Sequence, residues 1–190
     1  MNNSNEIGRN LTLLTDFYQL TMMNGYLRSG IHNEKATFDL FFRQKGQINY
    51  AVAAGLQQAI EYIQNLRFTD DDIKYLEGLN TFTRDFLDYL KNLRFTGDIY
   101  SVREGEIVFP MEPIMIVRAP LIEAQLIETA LLNIISHQTL IATKASRVNT
   151  AAGEGKVVEF GLRRAQGPDA GIYGSRASII GGASATSNVL

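Results

Sequence analysis

Residues 159–169 read EFGLRRAQGPD, and the run that enters them is apolar, with Val157, Val158 and Phe160 around the single charge of Glu159. A strand of this kind carries its chain straight into Arg163 and Arg164, after which Gly167-Pro168-Asp169 makes a turn. Fixed positive charge is thereby expected at the carboxyl end of a buried strand, where open α/β sheets hold their ligands. Two adjacent guanidinium groups supply planar donor forks that match phosphate or carboxylate, so the stretch points to an anionic substrate. The competing reading has one arginine merely pairing with Glu159 or Asp169.

On either side of this stretch the pattern is helical. Upstream, Leu121 to Thr150 places Leu126, Thr129, Ala130, Ile134, Gln138, Ile141 and Ala145 at three- and four-residue steps, which predicts one long helix. It is apolar on most sides and is expected to be buried, ending at Gly153-Glu154-Gly155. Lys156 to Leu162 is a nearly continuous β run, read as a strand covered on both faces in a parallel sheet or barrel. Downstream, Gly167-Pro168 opens a second helix to about Ser178, and Thr186 to Leu190 looks like the start of another strand. Helix, strand and helix in that order describe a β/α unit, and a new strand at the last residues suggests a fragment of a longer chain.

The first part of the sequence mixes its periods. Leu14 to Leu27 is expected to be a helix, with Thr15 as N-cap, Asp16 in the first turn and Gly30 beyond its end. Lys35 to Gln44 alternates as a strand does, with Ala36, Phe38, Leu40 and Phe42 on one face, so Arg43 leaves the core face. Tyr50 to Ala53 reads as a short partner strand. Gly55 then opens a helix to about Leu66 with Leu56, Ile60 and Ile63 inward. Thr69 and Asp72 have the spacing of a capping box for a helix to Leu79, and another helix spans Thr83 to Leu93. Gly97 to Ala119 breaks into short strands between glycines and prolines. The fold class is therefore α/β: an α+β domain over residues 1–119, then the long helix and the first part of a β/α barrel over 120–190.

Composition bounds the function. Of 190 residues 45% are apolar and 20% charged, enough for a sizeable core. Eighteen basic against twenty acidic side chains leave no basic surplus for nucleic acid or an anionic membrane surface. Cysteine is absent, which excludes thiol catalysis and cysteine-held metals and agrees with a cytoplasmic location. His32 and His137 stand far apart without metal-ligand spacing, so no metal site is expected and His137 reads as structural. Neither a signal peptide nor an apolar run long enough to cross a bilayer occurs.

Six stretches, TDFYQLTM (15–22), FFR (41–43), YAVAAGL (50–56), ETALLNIISHQTLIATKASR (128–147), EFGLRRAQGPD (159–169) and SRASIIGGASATSNVL (175–190), stand in the order they have in the nicotinate phosphoribosyltransferase family. The chain resembles that family, a type II phosphoribosyltransferase of NAD salvage, over nearly its whole length. The resemblance implies that nicotinate and phosphoribosyl pyrophosphate yield nicotinate mononucleotide and pyrophosphate, with ATP and Mg²⁺ as co-reactants and ATP hydrolysis coupled through a phosphorylated histidine. No such catalytic residue lies in this chain; the histidine is expected in a GT-x-A-H-S motif beyond Leu190, so these 190 residues alone are expected to be inactive.

By the same resemblance Phe160 stacks on the pyridine from one side. Tyr18 covers the other from a second subunit, in a homodimer with shared sites. Arg163 reaches the carboxylate or the adjacent phosphate, with Gly161 beside it and Arg164 as a supporting charge. Arg43 contacts the pyrophosphate across the subunits. Lys144 either approaches the same phosphates or lies along its helix surface. Ser187 stands where the related nicotinamide enzyme has an aspartate, and two like charges about 4 Å apart cost roughly 1–4 kcal/mol, so serine favours the acid over the amide. A nicotinamide or quinolinate phosphoribosyltransferase, or a non-catalytic domain on the same scaffold, stays open at this point.

Overall fold

The structure is a computed structural model and describes residues 10–43, 46 and 49–189. Gln44, the last residue of the expected first strand, lies outside the described residues. The elements run α1 (Phe17–Ser29), β1 (Lys35–Phe41), β2 (Ala51–Val52), α2 (Leu56–Gln64), α3 (Asp70–Gly78), α4 (Arg84–Asn92), β3 (Asp98–Ser101), β4 (Ile107–Val108), β5 (Pro113–Pro120), α5 (Leu121–Ala152), β6 (Val158–Glu159), α6 (Pro168–Ile180) and β7 (Ala185–Thr186). Among them β1, β5 and β3 form a sheet in that order, β2 pairs antiparallel with β4, and β6 pairs parallel with β7. The fold is mixed α/β.

Contacts divide the chain into two units. One comprises Met1–Thr37, Ile60–Asp98 and Arg118–Ala130, the other Phe38–Ala59, Ile99–Val117 and Leu131–Leu190. This grouping follows a different rule from a division at 119/120, because β1, α2, β3, β5 and α5 each give residues to both units.

In the first unit, buried Leu20 and Met23 of α1, Ile73 and Leu76 of α3, Phe86, Leu87 and Leu90 of α4 and Ile122, Leu126 and Ile127 of α5 supply the core. Gln19, fully buried on α1, donates to Glu128 Oε2 (2.9 Å) and accepts from Thr129 Oγ1 (2.9 Å), so its amide is satisfied by α5. Asp16 rather than Thr15 precedes α1; its side chain makes no cap bond and instead accepts from Thr129 Oγ1 (3.0 Å), while Thr15 donates its hydroxyl to Gln19 Oε1. The expected capping box is present: Thr69 Oγ1 accepts from Asp72 N–H (3.2 Å) and Asp72 Oδ2 accepts from Thr69 N–H (2.8 Å).

In the second unit, β2 lies on α5 through polar as well as apolar contacts. Val52 N–H donates to Thr143 Oγ1 (2.9 Å) and Ala54 N–H to Thr139 Oγ1 (3.2 Å), two threonines one helical turn apart. Around them Val52, Ala54, Ala142 and Ala177 pack with Tyr50, Ile141 and Ile180. The small side chains let α6 approach α5 closely, and at Gly181 there is no space at all, since a Cβ would stand 2.2 Å from the Ala142 carbonyl oxygen.

Three expectations about burial are corrected. The inward residues of α2 are Ala59 and Tyr62, not Leu56, Ile60 and Ile63, a face one step round the helix. Burial of α5 is continuous only over residues 122–127; later, Leu132, Leu140 and Val148 form an outward stripe that also carries Lys144. The run 156–162 is not a long strand covered on both faces. Only Val158–Glu159 pairs, Val158 is 44% exposed, and Leu162–Arg164 turns into one 3-10 turn. A strand buried on both faces needs neighbours along both edges and layers above and below, and among the described residues β6 has β7 alone.

Candidate functional site

The parallel pair β6–β7, joined by α6, is a β/α unit whose two strands end on the same side. Val158 faces Ala185 and Glu159 faces Thr186 in register, and one further bond, Ser187 N–H to the Glu159 carbonyl (2.9 Å), closes the carboxyl ends. Phe160 and Ser187 therefore leave adjacent strands at the same level. After Phe160 the chain turns at Gly161, with Arg164 N–H donating to the Gly161 carbonyl (2.8 Å). Leu162, 42% exposed, leans on α6, where a Cβ on Gly171 would meet its Cδ1 at 2.6 Å.

The turn presents its side chains outward. Phe160 is 68% exposed, and Arg163 and Arg164 are exposed as well. Among the described residues neither arginine has an ion-pair partner. The reading in which an arginine pairs with Glu159 is overturned, because the Glu159 carboxylate is engaged elsewhere. Its Oε2 accepts from Thr186 Oγ1 (2.6 Å) and Ser175 Oγ (2.8 Å), and its Oε1 accepts from Gly161 N–H. Desolvation works against the charge, but the bonds from Thr186, Gly161 and Ser175 together outweigh it and hold the carboxyl below the usual carboxylate range. A Cβ at Gly161 would lie 2.7 Å from Glu159 Oε1, so any larger residue there displaces the carboxylate from its present position.

A bare aromatic face, two unengaged guanidinium groups and a hydroxyl residue thus share one strand end, a surface that can stack on a flat ring and bind an oxyanion. Of the expected site residues the structure brings together Phe160, Gly161, Arg163, Arg164 and Ser187. Arg43, just past β1, and Lys144, on the outward stripe of α5, are exposed in the same unit, and no hydrogen bond or ion pair links either to that strand end among the described residues. Tyr18, on α1 of the other unit, is 55% exposed. Among the described residues no group of three or more acidic or histidine side chains could hold a metal ion, and no helix is long and apolar enough to cross a membrane.

Two features were not anticipated from the sequence. The first is the polar cluster around Glu159. A lone carboxylate inside an apolar run is itself a signal, since it must find donors if its strand packs. The second is Glu104, whose Oε1 accepts from Gly55 N–H (2.7 Å) and Leu56 N–H (3.1 Å) at the start of α2, while Arg176 grips both its oxygens (2.8 and 2.6 Å). The Arg176 fork first, then the two backbone donors, hold Glu104 below the usual range against desolvation. Arg176 also donates to Gln138 Oε1 (3.3 Å), and Gln138 donates to Gln58 Oε1 (2.8 Å), so α6, α5 and α2 are tied through one network.

The nicotinate phosphoribosyltransferase (NAPRTase) N-terminal domain family matches residues 13–136. Among relatives, a Bacillus subtilis protein named nicotinate phosphoribosyltransferase is 60% identical over 180 residues, covering 94% of this chain and 37% of its own length. A Caenorhabditis elegans protein of the same name is 43% identical over 183 residues, covering 94% and 33%. The crystal structure of human nicotinic acid phosphoribosyltransferase superposes with a TM-score of 0.84 at 38% identity, over 93% of this chain and 36% of that one. The chain spans about a third of the length of these relatives. With that family's model matching residues 13–136, more than half of its length, the chain belongs to the nicotinate phosphoribosyltransferase family.

Proposed function

We propose that the chain supplies the pyridine-binding wall of a nicotinate phosphoribosyltransferase, which forms nicotinate mononucleotide and pyrophosphate from nicotinate and phosphoribosyl pyrophosphate in NAD salvage. The observation that carries this is the strand end itself, where exposed Phe160 stands beside Arg163 and Arg164, both without ion-pair partners among the described residues. Phe160 stacks on the ring, a contact worth about 1 kcal/mol beyond area burial. Arg163 neutralises the carboxylate, Arg164 adds charge, and Gly161 lets the turn close against the ligand. Ser187, held level with Phe160, offers a hydroxyl where an acidic side chain would repel the acid.

The pyridine nitrogen attacks the ribose carbon as pyrophosphate departs, and positive charge develops on the ring of the sugar. The contribution of these residues is to fix the nucleophile's plane and direction, which removes orientational entropy from the barrier. Arg43 and Lys144 take the phosphates. Tyr18 covers the second face of the pyridine from another copy of the chain in a homodimer. Residues 120–190 are the opening of a β/α barrel, and a cysteine-free chain suits the cytoplasm.

Among the described residues no group of three or more acidic or histidine side chains gathers as a metal site, and the family resemblance assigns ATP coupling to a histidine that is not among them, so no step is routed through Mg²⁺ or ATP. The test is a transfer assay of the enzyme carrying this chain with nicotinate, nicotinamide and quinolinate in parallel. Product is expected from nicotinate alone, and Ser187→Asp should lower kcat/KM for nicotinate by about ten-fold or more, as a like charge near the carboxylate demands. Equal use of the amide or the diacid would refute the reading.

A further inference from the structure

We propose that Glu159 is the positioning residue of this site: one carboxylate sets the stacking aromatic and the acid-recognising serine in a common frame. The inference rests on the nicotinate reading above and deepens it. Two routes run from the far side of Ser187 back to Glu159. Asn188 N–H donates to Thr186 Oγ1 (3.1 Å), and that hydroxyl donates to Glu159 Oε2 (2.6 Å). The Asn188 amide donates from Nδ2 to Ser175 Oγ (3.2 Å), whose single proton is shared between the same Glu159 oxygen (2.8 Å) and the Gly171 carbonyl (2.9 Å). Ser187 itself, between Thr186 and Asn188, donates its N–H to the Glu159 carbonyl (2.9 Å).

Glu159 thus fixes the residue before Ser187 directly, the residue after it through two hydroxyls, and Ser187 through its own backbone. On the other side the carboxylate takes Gly161 N–H, so the residues flanking Phe160 are Glu159 and the residue it binds. Phe160 and Ser187 stand on different strands, and two strands of two residues each are too short to hold them in register unaided. The carboxylate is the shared anchor. It touches no substrate in this scheme and acts by orienting the two residues that do.

The experiment compares wild-type enzyme carrying this chain with Glu159→Ala, Glu159→Asp and Glu159→Gln, in steady-state transfer to nicotinate and to nicotinamide and in thermal unfolding. Alanine removes all three acceptor contacts. Aspartate keeps the charge but falls short of Thr186 and Ser175. Glutamine keeps an oxygen for Gly161 and can turn its amide to the two hydroxyls. Expected is a rise in KM for nicotinate of about ten-fold or more in Glu159→Ala and Glu159→Asp with a smaller change in kcat, the scale of losing bonds to a charged group. The preference for nicotinate over nicotinamide should fall in parallel, with substantial rescue in Glu159→Gln. If Glu159→Ala fails to fold, Glu159→Asp and Glu159→Gln carry the same comparison. Unchanged KM and preference, or losses in kcat and KM that follow the unfolding temperature alone, overturn the inference. A wild-type enzyme that does not use nicotinate overturns the functional reading, and this inference with it.

Discussion

Glu104→Ala is the perturbation whose size can be worked most fully from the structure. The glutamate does two things: it accepts the N–H groups of Gly55 and Leu56 at the start of α2, and it takes a two-pronged bond from Arg176 of α6. The first is a capping interaction, and its removal costs about 1 kcal/mol. The second is a charge-assisted fork whose side chains are 36% and 20% exposed, so solvent screening reduces it to about 1–2 kcal/mol. The variant should therefore lose roughly 2–3 kcal/mol, which for a chain of this size lowers the unfolding temperature by about 5–10 °C.

Urea unfolding followed by far-UV circular dichroism measures this loss. Glu104→Gln keeps an acceptor for α2 but not the fork, and should fall between the two. A double-mutant cycle with Arg176→Met isolates the pair. A loss under about 0.5 kcal/mol for Glu104→Ala, the range of ordinary surface changes, would refute the assignment of Glu104 as the tie between α2 and α6.

Other consequences follow from the same geometry. Gly181→Ala forces a methyl group into the Ala142 carbonyl and should destabilise by about 1–3 kcal/mol, read by the same unfolding assay; a neutral result would mean that α6 does not lie so close to α5. Glu104 and Glu159 both have folded-state pKa values below their unfolded value of 4.5, so the stability they contribute is present above that pH and is lost as pH falls through the lower folded values. Wild-type stability should decline on acidification below about pH 5, and Glu104→Gln should show a shallower decline; identical slopes would contradict the sign. Thr69→Ala removes the capping hydroxyl of α3 and should cost about 1 kcal/mol in thermal unfolding, with Thr69→Ser restoring most of it.

Much of this fold was legible along the chain because the signals are local. Thr69 with Asp72, Gly30 after α1, Pro168 at the first turn of α6 and the alternation of β1 each act within a few residues, and each has its expected effect. The errors come where burial depends on partners distant in sequence. The run 156–162 has the composition of a central strand, but Leu162 turns toward α6 and the strand stops after Glu159. The buried face of α2 is hard to read along the chain because Ala59, small enough to be fully enclosed, carries less signal than Ile60.

At the site, Phe160, Arg163, Arg164 and Ser187 were readable from one motif and its downstream partner. The roles of Glu159, Ser175, Thr186 and Asn188 were not, because the bonds joining them span up to 27 residues and their residue types are ordinary in turns.

The central claim is that a pyridine carboxylate sits on the carboxyl end of β6, and a crystal structure of the enzyme with nicotinate bound tests it most directly. The account predicts the ring stacked on Phe160, its carboxylate facing the Arg163 guanidinium and Ser187 at its edge. A pyridine bound elsewhere, with Phe160 sealed in packing and both Arg163 and Arg164 directed into bulk water, would contradict it.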